Sequence, residues 1–431
     1  MDNLMTKHFD FDMLADHYGE QTALITRKGS FSYNELAARA HQKASRYHWV
    51  CQYVVIIGRQ ELSFVDEFLA IHYAGRVPII VSEHILQYLD EILTNLNGNW
   101  QFIEEVRTRP QPAMANDLLF LGLTSGTTGI PKVYCRNWSS WRAGFLVCNQ
   151  HFKLSDCKSM ATPSPLATSL GLHTLLLSFF LGKVMYLKPK WSSIVLPQLA
   201  LFAVPSFIEQ KANEIAWKNI STLVMCGGCL HPSLPRKIQS QATKTNLFEM
   251  YGTSETSMIS WQDLNKGKEV SCVGQLFDEV QLLHNTSSLI EVKSPYLFSG
   301  YLGKKHPKRV KTSDVGEFKY GKLFVYSRQS DVIDHGGNKI FPSEIEEQLL
   351  RVAEEAVVFG VPDRVYGEKI VALVVCKTSQ TVFEQKAVQN LAKFKRPQEY
   401  IYVTQILSES NQKVSRRMLT QRYERGDFNG I

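Results

Sequence analysis

Leu121-Gly-Leu-Thr-Ser-Gly-Thr-Thr-Gly-Ile-Pro-Lys132 is an apolar strand that runs into a loop of hydroxyls and glycines and closes on a lysine. Glycines let backbone N–H groups approach a polyphosphate, the Thr and Ser hydroxyls donate further hydrogen bonds, and the lysine neutralises an outer phosphate. Such a cradle is not a Walker A loop, which needs Gly-x-x-x-x-Gly-Lys followed by Ser or Thr. Here the lysine follows Pro131 and precedes Val133. A Ser/Thr/Gly loop standing alone is a turn more often than a nucleotide site, so the reading rests on what accompanies it.

Four more stretches do. They are Met250-Tyr-Gly-Thr-Ser-Glu-Thr256, Thr312-Ser-Asp-Val-Gly-Glu317, Arg328-Gln-Ser-Asp331 running into His335-Gly-Gly-Asn-Lys-Ile-Phe-Pro342, and Asn411-Gln-Lys-Val-Ser-Arg-Arg417. In order, spacing and residue type the five together resemble the adenylate-forming enzymes: acyl-CoA synthetases, stand-alone adenylation domains and luciferases. The resemblance runs from about Asp12 to the C-terminus. Within that superfamily the chain is most similar to compact fatty acyl-CoA ligase-like proteins of Gram-positive bacteria, where Pro-Lys is followed by a Tyr and an Arg-rich stretch, as in Lys132-Val-Tyr-Cys-Arg136.

A chain of 431 residues, 44% of them hydrophobic, can bury more than one core. The net charge of +7 comes from scattered Lys and Arg, which suits solubility and small polyanions and gives no reason to expect nucleic acid as a partner. The N-terminus has no apolar segment of signal-peptide length, and the longest apolar run, near Leu175 to Leu181, is too short to span a bilayer. No transmembrane anchor and a cytoplasmic location are expected. Eight cysteines without a disulfide rhythm point to reduced thiols. Cys226-Gly-Gly-Cys229 has CxxC spacing, but no second pair or His cluster accompanies it, so metal or redox chemistry there is not expected.

Short apolar runs at Tyr53–Gly58, Pro78–Val81, Leu118–Gly122, Lys183–Leu187, Ala200–Val204, Thr222–Met225 and Asn246–Met250 alternate with helical stretches, among them Glu67–Gly75. This predicts α/β architecture with mainly parallel sheets. From Val280 to Tyr326 short alternating runs predict a small antiparallel, barrel-like part, placed at about 271–330. The expected organisation is an N-terminal AMP-binding domain over 1–330 and a small α+β C-terminal lid over 331–431. In the lid, Ser343 and Glu346 predict a capping box, and Phe383, Ala387, Leu391 and Phe394 repeat at helical spacing.

The resemblance implies a role for each motif. Thr124, Ser125, Gly126, Thr127, Thr128, Gly129 and Lys132 would hold the β- and γ-phosphates of ATP. Ser254 would contact the α-phosphate, with Thr253 beside it, and Glu255 would hold Mg²⁺ through hard carboxylate oxygens. Tyr251 offers a face to adenine, and Gly252 leaves room for nucleotide or acyl group. Asp314 would accept the ribose hydroxyls, supported by Arg328. Taken singly, Tyr251 reads as well as a core aromatic, Asp314 as a turn carboxylate and Glu255 as a helix-start acid. Lys413 would be the lid lysine bridging the incoming carboxylate and the α-phosphate. Asp331 would be the hinge, and Gly336, Gly337 and Lys339 would meet CoA. The acyl pocket would be lined by Thr168, Gly171, His173 and the Gly227-Gly228 turn, whose second glycine also borders the nucleotide.

No charged residue is plainly placed to pair with a second carboxylate, which favours a monocarboxylic apolar acid. The chain departs from the family pattern at Val133, Asp334, Gln412 and Thr168. The reading is an ATP-, Mg²⁺- and CoA-dependent ligase for a medium- or long-chain fatty acid. The alternatives are an o-succinylbenzoate or other aryl acid ligase, a loader of an acyl carrier protein, and a non-catalytic acyl or nucleotide sensor.

Overall fold

A computed structural model describes residues 6, 8–47, 49–105, 117–124, 131–283, 288–406 and 415–428. The chain forms two compact units. The first comprises 1–267, 276–281 and 292–310, and the second 268–275, 282–291 and 311–431.

The first unit is α/β and holds two sheets. In one, strands Asn246–Tyr251, Ile220–Cys226, Leu199–Ala203, Ser159–Ala161, Val184–Tyr186 and Thr22–Thr26 lie side by side and parallel. Antiparallel strands Ser260–Asp263 and Gly29–Ser32 flank them. Central strands buried on both faces read as continuous apolar runs, as Leu-Ala-Leu-Phe-Ala does over 199–203, where every residue is buried. The other sheet runs Gly300–Tyr301, Lys132–Asn137, Leu118–Thr124, Val77–Val81, Tyr53–Ile57, Trp100–Phe102. Its first two pairings are antiparallel and the rest parallel. Between its strands, Leu62–Tyr73 forms a helix that starts ahead of the expected Glu67, because Leu62, Phe64 and Val65 already belong to its buried face. It stops where Gly75 adopts φ +68°.

In the second unit, antiparallel strands Val310–Lys319 and Lys322–Arg328 pair through a tight turn, and Cys272–Leu276 pairs with the latter. A second sheet sets Asn338–Ile340, Ile333–His335, Gly367–Val375 and Glu355–Asp363 in order, with Glu399–Tyr402 parallel to Gly367–Val375. Helices Pro342–Leu349 and Gln380–Ala387 contribute Ile345, Leu349, Phe383 and Ala387 to its core.

Two expectations in this unit need correction. There is no capping box at Ser343 and Glu346. Pro342 takes the first helical position, where its missing N–H costs nothing, so Phe341 becomes the N-cap and Ser343 lies inside the helix. The Ser343 hydroxyl donates instead to the Tyr326 carbonyl, and Glu346 accepts from the Val358 amide (2.8 Å) and from Arg416 Nη2 (2.7 and 2.9 Å). Phe394 does not extend the buried stripe either. The helix ends at Ala387, Leu391 stays buried, and Phe394 falls in the Lys393–Lys395 turn with 45% of its surface exposed.

Candidate active site

Parallel strands leave a crevice beyond their carboxyl ends, and that is where ligands bind in open α/β sheets. In the first unit the loops there carry the motif residues. Thr162–Thr168 follows Ser159–Ala161, Gly227-Gly228 follows Ile220–Cys226, and Gly252–Glu255 follows Asn246–Tyr251. Cys226 is the register partner of Met250, so the last two loops leave neighbouring strands at the same level.

The Tyr251–Thr256 loop is fixed from within. The Thr253 hydroxyl accepts from the Glu255 and Thr256 amides (3.3 and 3.2 Å), and the Thr256 hydroxyl accepts from the Thr253 amide (3.0 Å). Thr253 thus serves its own turn. Gly252 is demanded first by the protein's own backbone: a Cβ there would lie 1.7 Å from the Ser257 carbonyl oxygen. Ser257 itself has φ +58°.

The loop is also held from outside, by the strand Lys132–Asn137. Side chains alternate along a strand, so Lys132, Tyr134 and Arg136 share one face while Val133 and Cys135 enter the apolar cluster with Leu121, Ile79 and Val55. Val133, a departure from the family pattern, is accommodated there with 6% of its surface exposed. Arg136 is 1% exposed; its Nη2 donates to the Ser254 carbonyl (2.5 Å) and its Nη1 to the Tyr296 carbonyl (2.7 Å). Burial pushes its pKa down to about 10, with Tyr134 and Glu255 opposing that shift. The guanidinium stays charged at neutral pH and sets a positive field under Ser254.

Tyr134 Oη lies 2.8 Å from Ser169 Oγ, and Ser169 Oγ donates to Ser254 Oγ at 3.0 Å. Directly across from Tyr134 stands Tyr301 of the short Gly300–Tyr301 strand. Its hydroxyl donates to Glu255 Oε1 at 2.7 Å, and burial and that carboxylate both raise its pKa. Lys132 Nζ sits 5.6 Å from the centre of the Tyr301 ring. Two facing tyrosines therefore hold two consecutive motif residues. Thr124 is the register partner of Lys132 on the neighbouring strand. Ser125, Gly126, Thr127, Thr128 and Gly129 lie outside the described residues, as do Gln412 and Lys413.

The remaining residues of the first unit sit at the start of helix Ser169–Phe180. Thr168 is its N-cap: Thr168 Oγ1 accepts from the Gly171 amide (3.2 Å) and donates to the Pro165 carbonyl (2.7 Å). Its hydroxyl is committed to that cap. A Cβ on Gly171 would meet the Pro165 oxygen at 2.1 Å, so this glycine admits the tight turn. His173 is 6% exposed between the rings of Trp141 and Phe145, and its Nδ1 has no hydrogen-bond partner. Burial, reinforced by Arg136, pushes its pKa down to about 3, so it is a neutral residue packed among aromatic rings. Gly227 has φ +78°, and a Cβ on Gly228 would approach Pro205 Cδ at 3.2 Å. All eight cysteines are free, and among the described residues no three His, Cys, Asp or Glu side chains converge as metal ligands.

The second unit holds the other motif residues. Asp314 and Arg328 are register partners, with Arg328 Nε 3.7 Å from Asp314 Oδ1. Asp331 Oδ2 accepts from Arg416 Nη1 at 3.1 Å. Gly336 and Gly337 are exposed with φ +60° and +79°. Lys339 Nζ donates to Asp334 Oδ2 at 2.6 Å, so the unusual acid at 334 is the partner of the lysine assigned to CoA.

Sequence reasoning missed Tyr134, Arg136, Ser169 and Tyr301. The alternation of the strand after the phosphate loop placed Lys132, Tyr134 and Arg136 on one face, and that was the available signal.

The architecture and these motifs agree with what comparison with known proteins finds. The family described as AMP-binding enzyme matches residues 50–302, and its C-terminal domain family matches residues 344–413. VraA of Staphylococcus aureus (strain COL), provisionally named a long chain fatty acid-CoA ligase, is 32% identical over 352 residues, 76% of this chain and 75% of that protein. Among solved structures, ATP-bound MatB from Rhodopseudomonas palustris superposes with a TM-score of 0.81 at 20% identity, covering 98% and 99% of the two chains. The o-succinylbenzoate coenzyme A synthetase MenE from Bacillus subtilis, in complex with AMP, gives 0.79 at 20% identity over 95% and 97%. The chain belongs to the AMP-binding enzyme family and is an enzyme of the adenylate-forming type.

Proposed function

We propose that the protein is an ATP-dependent carboxylate–CoA ligase that forms an acyl-adenylate and pyrophosphate, then acyl-CoA and AMP. The observation that carries this reading is the convergence of Lys132, Ser254 and Glu255, the latter two held by Tyr134, Arg136, Ser169 and Tyr301. Lys132, with Thr124 and the Ser125–Gly129 loop, neutralises the outgoing pyrophosphate; Ser254 donates to the α-phosphate, and the buried Arg136 charge stabilises the negative charge that gathers there. Tyr251 faces adenine, and Asp314 and Arg328 take the ribose end.

The donor set suits Mg²⁺. One carboxylate, Glu255, is oriented by Tyr301, and no further acidic cluster surrounds it among the described residues. Phosphate oxygens and water would supply its other hard oxygen ligands. When bound, the ion neutralises charge between the phosphates.

In this reading Lys413 comes from a lid spanning 331–431 that hinges at Asp331 and brings the carboxylate to the α-phosphorus. The thiol step then places Gly336, Gly337 and Lys339 beside CoA, or beside the phosphopantetheine arm of a carrier protein. A medium- or long-chain fatty acid is the favoured substrate. From Gly171 to Phe180 the helix carrying the acyl-pocket residues is buried throughout, and His173 on it is uncharged at neutral pH. VraA, whose provisional name specifies a long chain fatty acid, points the same way. An aryl acid is the second reading, favoured by the likeness to MenE. No helix among the described residues is long and apolar enough to cross a membrane, which suits a cytoplasmic enzyme working on small molecules.

The test incubates the protein with ATP, Mg²⁺ and a panel of fatty, aryl and amino acids, with and without CoA, and reads products by mass spectrometry. Acyl-CoA with AMP from fatty acids is expected. Acyl-AMP unchanged by CoA would move the acceptor to a carrier protein. Absence of AMP from every acid, with Lys413→Ala indistinguishable from wild type, would overturn the ligase reading.

A further inference from the structure

The contact between Ser169 and Ser254 belongs to a longer series. Each hydroxyl carries one proton and can accept through its oxygen. Ser169 donates to Ser254, and the 2.8 Å contact between Tyr134 and Ser169 suits donation by the phenol, which also interacts with Ser254 itself. The order is then Tyr134 to Ser169 to Ser254, all protons pointing outward, with the Ser254 proton left to be donated beyond the protein. Hydrogen bonds in series polarise one another, so the last donor is stronger than an isolated serine.

We propose that Tyr134 and Ser169 are positioning residues that aim the Ser254 hydroxyl at the α-phosphate of the nucleotide. The proposal rests on the adenylation reading of Ser254 given above.

Four features set this arrangement apart from the ordinary satisfaction of a buried phenol. Other buried tyrosines of the same unit donate to main-chain carbonyls: Tyr33 to Phe179 and Tyr296 to Asp278. Tyr134, 2% exposed, reaches a side-chain hydroxyl in contact with the motif serine instead. Ser169 occupies the first position of a 12-residue helix, where the helix field favours negative charge. Arg136 fixes the Ser254 main chain through its carbonyl, which leaves the orientation of Oγ to the relay. Gly122, the register partner of Tyr134, lacks the Cβ that would press on the phenol at 2.6 Å. The relay is neutral throughout, so it orients a donor without adding a charge that would compete with Lys132.

The test compares AMP with adenosine by titration calorimetry, because only AMP carries the phosphate. Tyr134→Phe and Ser169→Ala are expected to weaken AMP by about five- to tenfold, the loss of one oriented hydrogen bond, and to leave adenosine within about twofold. Ser169→Thr restores the hydroxyl and should return AMP binding to within about twofold of wild type. In carboxylate-dependent pyrophosphate exchange, kcat should fall while KM for the acid holds. AMP affinity unchanged in both variants, parallel losses for AMP and adenosine, or a wild type that does not prefer AMP to adenosine would each overturn the proposal. The expected AMP losses in a protein that makes no adenylate from any acid would uphold the relay and sink the ligase reading alone.

Discussion

Gly122→Ala asks how tightly the phenol of Tyr134 is held. The two residues face each other across paired strands, and a Cβ at position 122 would stand 2.6 Å from Cε1, Cζ and Oη of the ring. Ordinary contact begins near 3.4 Å, so the ring must withdraw by about 0.8 Å. Withdrawal by that amount directed away from Ser169 stretches the 2.8 Å bond to as much as about 3.6 Å, which is no longer a hydrogen bond. Two penalties result: about 1–3 kcal/mol for overpacking and about 1–3 kcal/mol for a buried hydroxyl left without its partner. The expected loss of stability is about 2–6 kcal/mol by urea denaturation. The origin is separable by a double-mutant cycle. In a Tyr134→Ala background the same Gly122→Ala change has nothing to collide with and should cost under about 1 kcal/mol. Costs that add to within about 0.5 kcal/mol in the two backgrounds would refute the reasoning, since the residues would then not be coupled.

Tyr301→Phe removes the donor to Glu255 Oε1 and should raise the Mg²⁺ concentration needed for half-maximal pyrophosphate exchange severalfold, with the midpoint of unfolding shifted little; an unchanged Mg²⁺ dependence would deny Tyr301 its orienting part. Arg416→Ala leaves Glu346 and Asp331 without their shared partner and should destabilise the second unit by about 3 kcal/mol, the lower end for a broken ion-pair network because the arginine is partly exposed; denaturation monitored in the full chain checks it. Burial pushes His72 down to about 4 and His173 down to about 3, so both imidazoles stay neutral in the folded chain where the unfolded chain takes up two protons. These two groups leave stability unchanged above about pH 7 and reduce it as pH falls from 6.5 towards 4, by up to about 2.7 kcal/mol per pH unit. Urea midpoints measured across that range should fall, and His173→Asn should remove about half of the histidine-dependent slope.

Much of the fold was legible because parallel strands are buried on both faces and announce themselves as apolar runs. Tyr53–Ile57, Ile220–Cys226 and Asn246–Tyr251 lie where those runs are. Local chemistry was a weaker guide wherever a neighbour in space outbid a neighbour in sequence. Ser343 and Glu346 have capping-box spacing, yet Pro342 moved the helix start and Arg416, 70 residues on from Glu346, took its carboxylate. Thr168 lies in the segment assigned to the acyl pocket, but the helix that begins at Ser169 uses its hydroxyl as a cap. The supporting residues of the candidate site were hidden for a related reason. Tyr134 meets Ser169 across 35 positions, and Arg136 meets Ser254 across 118. Strand alternation puts Tyr134 and Arg136 on the Lys132 face, but only the register of the neighbouring strand reveals that Tyr301 stands opposite.

The strand Lys132–Asn137 carries one consequence for how such a protein can change. Its two faces are sorted by a period of two, polar reach on one side and packing on the other. A slip by a single residue would drive a lysine, a phenol and a guanidinium into the hydrocarbon layer and turn Val133 and Cys135 out towards the loop. Inserting or deleting one residue inside this strand is therefore penalised twice over, whereas point substitutions on the polar face leave the alignment standing. Variation that retunes nucleotide handling has room at Tyr134 and Ser169 one side chain at a time, and almost none in the length of the strand that presents them.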